Sequence, residues 1–182
     1  MERQMSGSLV AGLPEPGAEA SAPHASRARL TYEAFTKAAP AAHAALSALG
    51  KAVDESGLEK ELTELVKLRA SQLNGCAFCL QFHLNAARRL GVAREKLDLV
   101  AAWPDAGVFS PREMAALAWT EALTEMGAES TSDQAYAALL RHFNEREALF
   151  LTVAIGTINQ WNRIAVALRF PPHVARAAAS VR

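Results

Sequence analysis

The chain has 182 residues, enough for one domain with or without a tail, and 51% of them are hydrophobic, so a sizeable core can be buried. Lys plus Arg equals Asp plus Glu at 19 each. Zero net charge, with no basic block interleaved with aromatics, argues against nucleic acid or an anionic membrane as partner. Two cysteines exclude a disulfide-rich secreted scaffold.

The first elements are set apart by composition. Sixteen of the first thirty residues are Ala, Gly, Pro or Ser, and they show no apolar period. Residues 1–29 are therefore expected to be a flexible tail, and 30–182 the folded domain. No basic n-region with a real h-region opens the chain, so no signal peptide is expected. The longest apolar stretch, Leu149 to Leu168, is interrupted by Asn159, Gln160, Asn162 and Arg163. That pattern argues against a membrane span. A soluble cytoplasmic protein is the expectation. In such a compartment a CxxC pair serves catalysis or metal binding more often than permanent crosslinking.

From Leu30 onward the apolar period is helical and nothing alternates like a strand. An all-α fold is predicted, with helices near 31–55, 58–73, 76–90, 93–102, 111–126, 132–142 and 145–169. Prolines at 40, 104, 111, 171 and 172 stand where helices start or stop. Gly57, Gly75, Gly91, Gly107 and Gly127 fall between periodic segments, as helix-ending residues should. "SPRE" and "NERE" place Ser110 with Glu113, and Asn144 with Glu147, as capping boxes; "SGLE" at Ser56 is a weaker version. No internal repeat emerges.

Both cysteines lie in "ELVKLRASQLNGCAFCLQFH", Glu64 to His83. Asn74-Gly75 is a turn dipeptide between two helical segments, so a tight helical hairpin is predicted. At roughly 100° per residue, Cys76, Cys79, His83, Ala86, Ala87 and Leu90 share one stripe, with Phe78 and Phe82 on a different side. A helix apolar on more than one side is expected to be covered twice, by its own domain and by another subunit. The first turn of a helix favours thiolate, burial opposes it, and His83 one turn after Cys79 can take the proton. In the hairpin Glu64 comes level with a residue near Asn85, within reach of His83. Glu64 also sits off its own apolar stripe of Leu58, Leu62, Leu65, Val66 and Leu73, so a relay carboxylate and a solvated surface carboxylate both fit.

Other residues have plainer readings. Arg69 falls in an apolar stripe and needs a structural ion-pair partner. Ser71 and Asn74 read as turn and hairpin residues, Trp103, Trp119 and Trp161 as core or interface aromatics, and His142 as a helix-end residue. Asn159, Asn162 and Arg163 either line a pocket or satisfy a contact at a subunit interface. Cys76, Cys79 and His83, with Glu64, make three or four zinc donors. No second CxxC or HxxxH accompanies them, so no metal is expected.

The run Glu64, Leu68, Arg69, Ser71, Asn74, Cys76, Cys79 and His83 resembles the AhpD-like alkylhydroperoxidase core of the carboxymuconolactone decarboxylase superfamily. "AAW" at Trp103, "ALAWTEALT" at Trp119 and "INQWNR" at Trp161 are similar to members as well, and the resemblance spans about residues 31–172. It implies a helical domain that reduces organic hydroperoxides through a dithiol–disulfide cycle. Cys79 would be the peroxidatic and Cys76 the resolving cysteine, with Glu64 and His83 the proton relay. It implies no bound cofactor, a dithiol or lipoyl-type reductant that a carrier protein can bear, and a homo-oligomer such as a trimer or hexamer. Phe78 stands where the best-studied members carry a second histidine. A redox-sensing or partner-regulating protein with little turnover is the alternative. A lactone decarboxylase or other lyase is a further one, but its chemistry needs no cysteine pair.

Overall fold

The computed structural model describes residues 28–127 and 130–173. No strand occurs among them, and the fold is all-α as expected. The helices are α1 (Tyr32–Ala38), α2 (Pro40–Asp54), α3 (Lys60–Leu73), α4 (Ala77–Leu90), α5 (Arg94–Leu99), α6 (Pro111–Glu125), α7 (Asp133–Leu140) and α8 (Glu145–Leu168). A 3₁₀ turn, Val100–Ala102, follows α5. Among the described residues no helix is long and apolar enough to cross a membrane. The expected tail lies outside the described residues save for its last two, of which Arg29 donates its backbone N–H to Leu168 O at 3.1 Å.

Local chemistry accounts for most boundaries. Ser110 and Asn144 form the expected capping boxes with Glu113 and Glu147. Gly57, Gly75, Gly91 and Gly107 all take positive φ. Three expectations are corrected. The helix predicted over 31–55 is two helices, because Pro40 has no N–H to donate and drives Ala39 out of the helical region, to φ −134° and ψ 59°. "SGLE" forms no capping box: α3 begins after Glu59 without a side-chain cap, and Ser56 Oγ instead accepts Leu58 N–H across the turn. Gly127 does not end α6; Met126 does so at φ 50°. A Cβ on Gly127 would meet Ser130 Oγ at 3.0 Å, which gives that glycine a packing reason.

Helix α3 is the centre of the molecule and packs against α4, α6 and α8. Leu65, Val66 and Leu68 on it are essentially inaccessible, each worth about 1.5–3 kcal/mol in removed apolar surface. One core cluster joins Leu62 and Val66 to Trp119, Leu139, Phe143 and Leu151 of α6 to α8. A second gathers Phe35, Cys76, Phe78, Cys79, Ile158 and Phe170 around the start of α4. Arg69 finds its expected ion-pair partner in Glu121 of α6, Nε to Oε1 at 2.7 Å, and the same oxygen accepts the Trp103 indole N–H at 2.7 Å.

Candidate active site

The α3–α4 hairpin builds the site. Asn74 ends α3 and Gly75 turns the chain at φ 63°, a left-handed conformation suited to glycine. The Cys76 N–H then reaches back to Ser71 O at 3.0 Å. Cys76 is extended and is the N-cap of α4, its Sγ accepting the Cys79 N–H at 3.2 Å. Cys76 and Cys79 are joined as a disulfide with Cα atoms 5.4 Å apart, and both are buried.

Glu64 is buried and is not a solvated surface carboxylate. Its Oε2 lies 2.8 Å from His83 Nδ1 and its Oε1 2.8 Å from Lys67 Nζ. Burial by itself raises the carboxyl pKa. The hydrogen bond and charge of His83, with those of Lys67, outweigh it and hold Glu64 below its ordinary value. Glu64 is therefore an anion at neutral pH and can only accept. Nδ1 of His83 must carry the proton between them, which leaves Nε2 as the ring's exchangeable position.

Cys79 and His83 line one largely apolar cavity of about 210 Å³. Tyr32, Phe78, Phe82 and Trp161 supply its aromatic walls, and Val53, Ala154 and Ile158 its aliphatic ones. This changes the predicted face of α4. The four α4 residues on the cavity are Phe78, Cys79, Phe82 and His83, which spread over roughly 140° of the helix. Cys76 does not line it, being turned into the N-cap behind. The position where the resemblance expects histidine is packed with rings: Phe78 lies 5.5 Å from Tyr32 and 5.4 Å from Phe170, centroid to centroid. An apolar side chain suits that setting.

Asn159 and Asn162 neither line the cavity nor face outward. They bond inward to the hairpin, where Asn74 Nδ2 lies 2.8 Å from Asn159 Oδ1 and 3.0 Å from Asn162 Oδ1, and Asn162 donates to Ser71 Oγ at 3.1 Å. Arg163 is exposed and caps the Asn159 carbonyl at 3.1 Å. Lys67 and Tyr32 were not anticipated at the site. Lys67 had a sequence signal: residues 64, 67, 71 and 74 are a polar stripe at helical spacing. Tyr32 had none, since its pairing with His43 Nε2 at 2.8 Å and its place on the cavity depend on the break at Pro40. Among the described residues no group of three or more His, Cys, Asp or Glu is arranged to hold a metal ion.

The sequence profile of the carboxymuconolactone decarboxylase family matches residues 40–122, which contain Glu64, Cys76, Cys79 and His83. The uncharacterised protein YdfG of Bacillus subtilis (strain 168) is 35% identical over 118 residues, covering 65% of this chain and 80% of that one. A solved structure from Agrobacterium tumefaciens, of a protein of unknown function with a proposed AhpD-type antioxidant defence role, is 40% identical. It aligns with a TM-score of 0.76 over 82% of this chain and all of that one. An uncharacterised peroxidase-related protein from Silicibacter sp. TM1040 is 25% identical, with a TM-score of 0.65 over 71% of this chain and 69% of its own. By sequence, fold and the CxxC pair at the start of α4, this chain belongs to the AhpD-like group of the carboxymuconolactone decarboxylase superfamily.

Proposed function

We propose that the chain is a thiol-dependent peroxidase that reduces organic hydroperoxides through a Cys76/Cys79 dithiol–disulfide cycle. The observation that carries this reading is the 2.8 Å contact of buried Glu64 with His83 Nδ1, with His83 and Cys79 on the wall of one apolar cavity. In the reduced protein His83 accepts the Cys79 proton at Nε2, and Glu64 stabilises the imidazolium that results. The Cys79 thiolate attacks the terminal peroxide oxygen. An S–O bond forms, the O–O bond breaks, and the alcohol leaves with the proton from His83. Cys76 then displaces water from the Cys79 sulfenic acid to form the disulfide. A dithiol of the lipoyl type, free or on a carrier protein, returns both thiols by exchange and is itself oxidised. The apolar lining supports an organic peroxide over hydrogen peroxide.

Phe78 favours one second reading, a redox sensor that oxidises without sustained turnover, because the aromatic wall offers the peroxide no second imidazole. One experiment separates the two. Reduced protein is mixed with an organic hydroperoxide and dihydrolipoamide, and peroxide loss is followed with the thiol state by mass spectrometry. Sustained turnover that Cys79→Ser abolishes is the expected result. Disulfide formation without turnover selects the sensor, and unchanged thiols sink both. The same reading carries a homo-oligomer, a trimer or hexamer, in which α4 is covered outside as well as in. Phe82, 49% exposed beside the cavity, is the residue that such contact would bury. A monomer in sedimentation at micromolar concentration would refute it.

A further inference from the structure

Lys67 lines the same cavity as Cys79 and His83, and the cycle above leaves it without a part. Its side chain is only 17% exposed, a rare setting for an ammonium. One N–H is taken by Glu64 Oε1 at 2.8 Å. An ammonium has three donors, and among the described residues no other protein acceptor takes the remaining two. Other polar groups on the wall are engaged. Thr157 Oγ1 donates to Val153 O, the Tyr32 hydroxyl is paired with His43, and His83 Nδ1 is held by Glu64. Ser47 is solvent-exposed.

We propose that Lys67 is a further catalytic residue, the hydrogen-bond donor to the oxygen that leaves when Cys79 opens the peroxide. The proposal rests on the peroxidase reading. As the thiolate attacks the terminal oxygen of R–O–O–H, sulfur is oxidised to –SOH and the electron pair of the O–O bond departs on RO⁻. His83 returns to that oxygen the proton it took from Cys79, which completes ROH. Until the proton arrives, negative charge grows on an oxygen inside an apolar cavity, where it is costly without a positioned donor. Phe78 offers none. Lys67 is cationic, has donors to spare, and is anchored by the same carboxylate that orients His83. Glu64 also balances the lysine charge in this buried setting.

The test compares two oxidants in one protein. tert-Butyl hydroperoxide expels an alkoxide that needs stabilisation; peracetic acid expels acetate, which does not. Oxidation of Cys79 is followed by stopped flow in the full chain, for the native protein and for Lys67→Met and Lys67→Arg. In Lys67→Met the rate with tert-butyl hydroperoxide is expected to fall about a hundredfold. The rate with peracetic acid, and alkylation of Cys79 by iodoacetamide, should change by less than about threefold. Lys67→Arg, which keeps a cationic donor, should restore the native ratio of the two oxidants. If Lys67→Met slows both oxidants equally, the lysine acts only by holding Glu64, and the proposal is overturned. It is overturned equally if neither slows. Should Lys67→Met fail to fold, Lys67→Leu, which also lacks a donor, is read in the same way, since the ratio of oxidants is internal to each variant. If the native protein shows no Cys79 oxidation with either peroxide, the peroxidase reading itself fails and takes this proposal with it. Native turnover without a change of ratio removes Lys67 alone.

Discussion

Helix α3 carries two polar clusters along one stripe, and they differ in kind. Toward the middle, Glu64 and Lys67 meet His83 on the wall of a cavity, all three groups are titratable, and the ammonium has donors left over. Toward the C-terminal end, Ser71 and Asn74 meet Asn159 and Asn162, all neutral, with Asn162 fully buried. There the groups pair among themselves and none lines the cavity: Asn159 Nδ2 goes to Thr124 Oγ1 and Ile155 O, Asn162 Nδ2 to Ser71 Oγ, and Ser71 Oγ to Lys67 O. A closed, uncharged network has nothing to offer a substrate and fixes geometry, here the turn that precedes Cys76. An open, charged one keeps capacity for a reacting group. The contrast separates chemistry from scaffolding on a single helix.

Glu64→Gln should give the largest effect and tests the open cluster. The amide cannot stabilise an imidazolium, so Cys79 must lose its proton without that help. Oxidation of Cys79 by an organic hydroperoxide is expected to slow about a hundredfold at neutral pH, and to recover as the pH rises and hydroxide does the work. Stopped-flow rates across the neutral to alkaline range measure it. An unchanged rate and profile would make the first cluster as structural as the second and would erase the distinction.

Asn162→Leu tests the closed cluster and should do the reverse. It removes the donor to Ser71 Oγ in a buried site, while Asn74 keeps Ala70 O and Asn159 Oδ1, at an expected loss of about 1–3 kcal/mol. Urea unfolding reads that loss. The oxidation rate of the folded fraction, and its pH profile, should stay close to native, because no cavity residue is altered. A displaced pH profile in this variant would mean that the turn tunes the relay, and the two clusters would be one.

The same contrast explains what the sequence made legible. Capping boxes at Ser110 and Asn144, the turn at Asn74-Gly75, and the meeting of Glu64 with His83 all follow from residues close in sequence, or level on a hairpin whose turn is readable. The roles of Asn159 and Asn162 were not legible, since their partners on α3 lie 85 or more positions away. Without that packing an asparagine in an apolar helix looks like a pocket or an interface residue. Tyr32 was hidden for a related reason, because only the break at Pro40 lets α1 fold over the start of α4. Helix phase alone grouped Cys76 with Cys79, which the disulfide joins, but set Phe78 and Phe82 on a different side, whereas both line the cavity beside Cys79 and Cys76 does not. Lys67 looks from its spacing like an ordinary surface pair with Glu64, and only burial distinguishes it.

The smallest effect expected is thermodynamic, and it divides the clusters by charge alone. His83 and Lys67 hold the Glu64 carboxyl below its ordinary value of 4.5 against the opposing effect of burial. The folded protein therefore binds that proton less readily than the unfolded chain. The stability this contributes is fully present above the ordinary value and is lost as pH falls through the lower value of the folded state. On acidification the gap in urea midpoint between native protein and Glu64→Gln should narrow. The gap between native protein and Asn162→Leu should hold constant, since no titratable group sits among Ser71, Asn74, Asn159 and Asn162. Carboxylates elsewhere, such as Glu147, held low by its hydrogen bond from Arg112, are common to all three proteins and cancel in the differences. A gap for Asn162→Leu that closes in step with that for Glu64→Gln would show the neutral network to be charge-coupled to the relay through Lys67, whose backbone carbonyl Ser71 already holds.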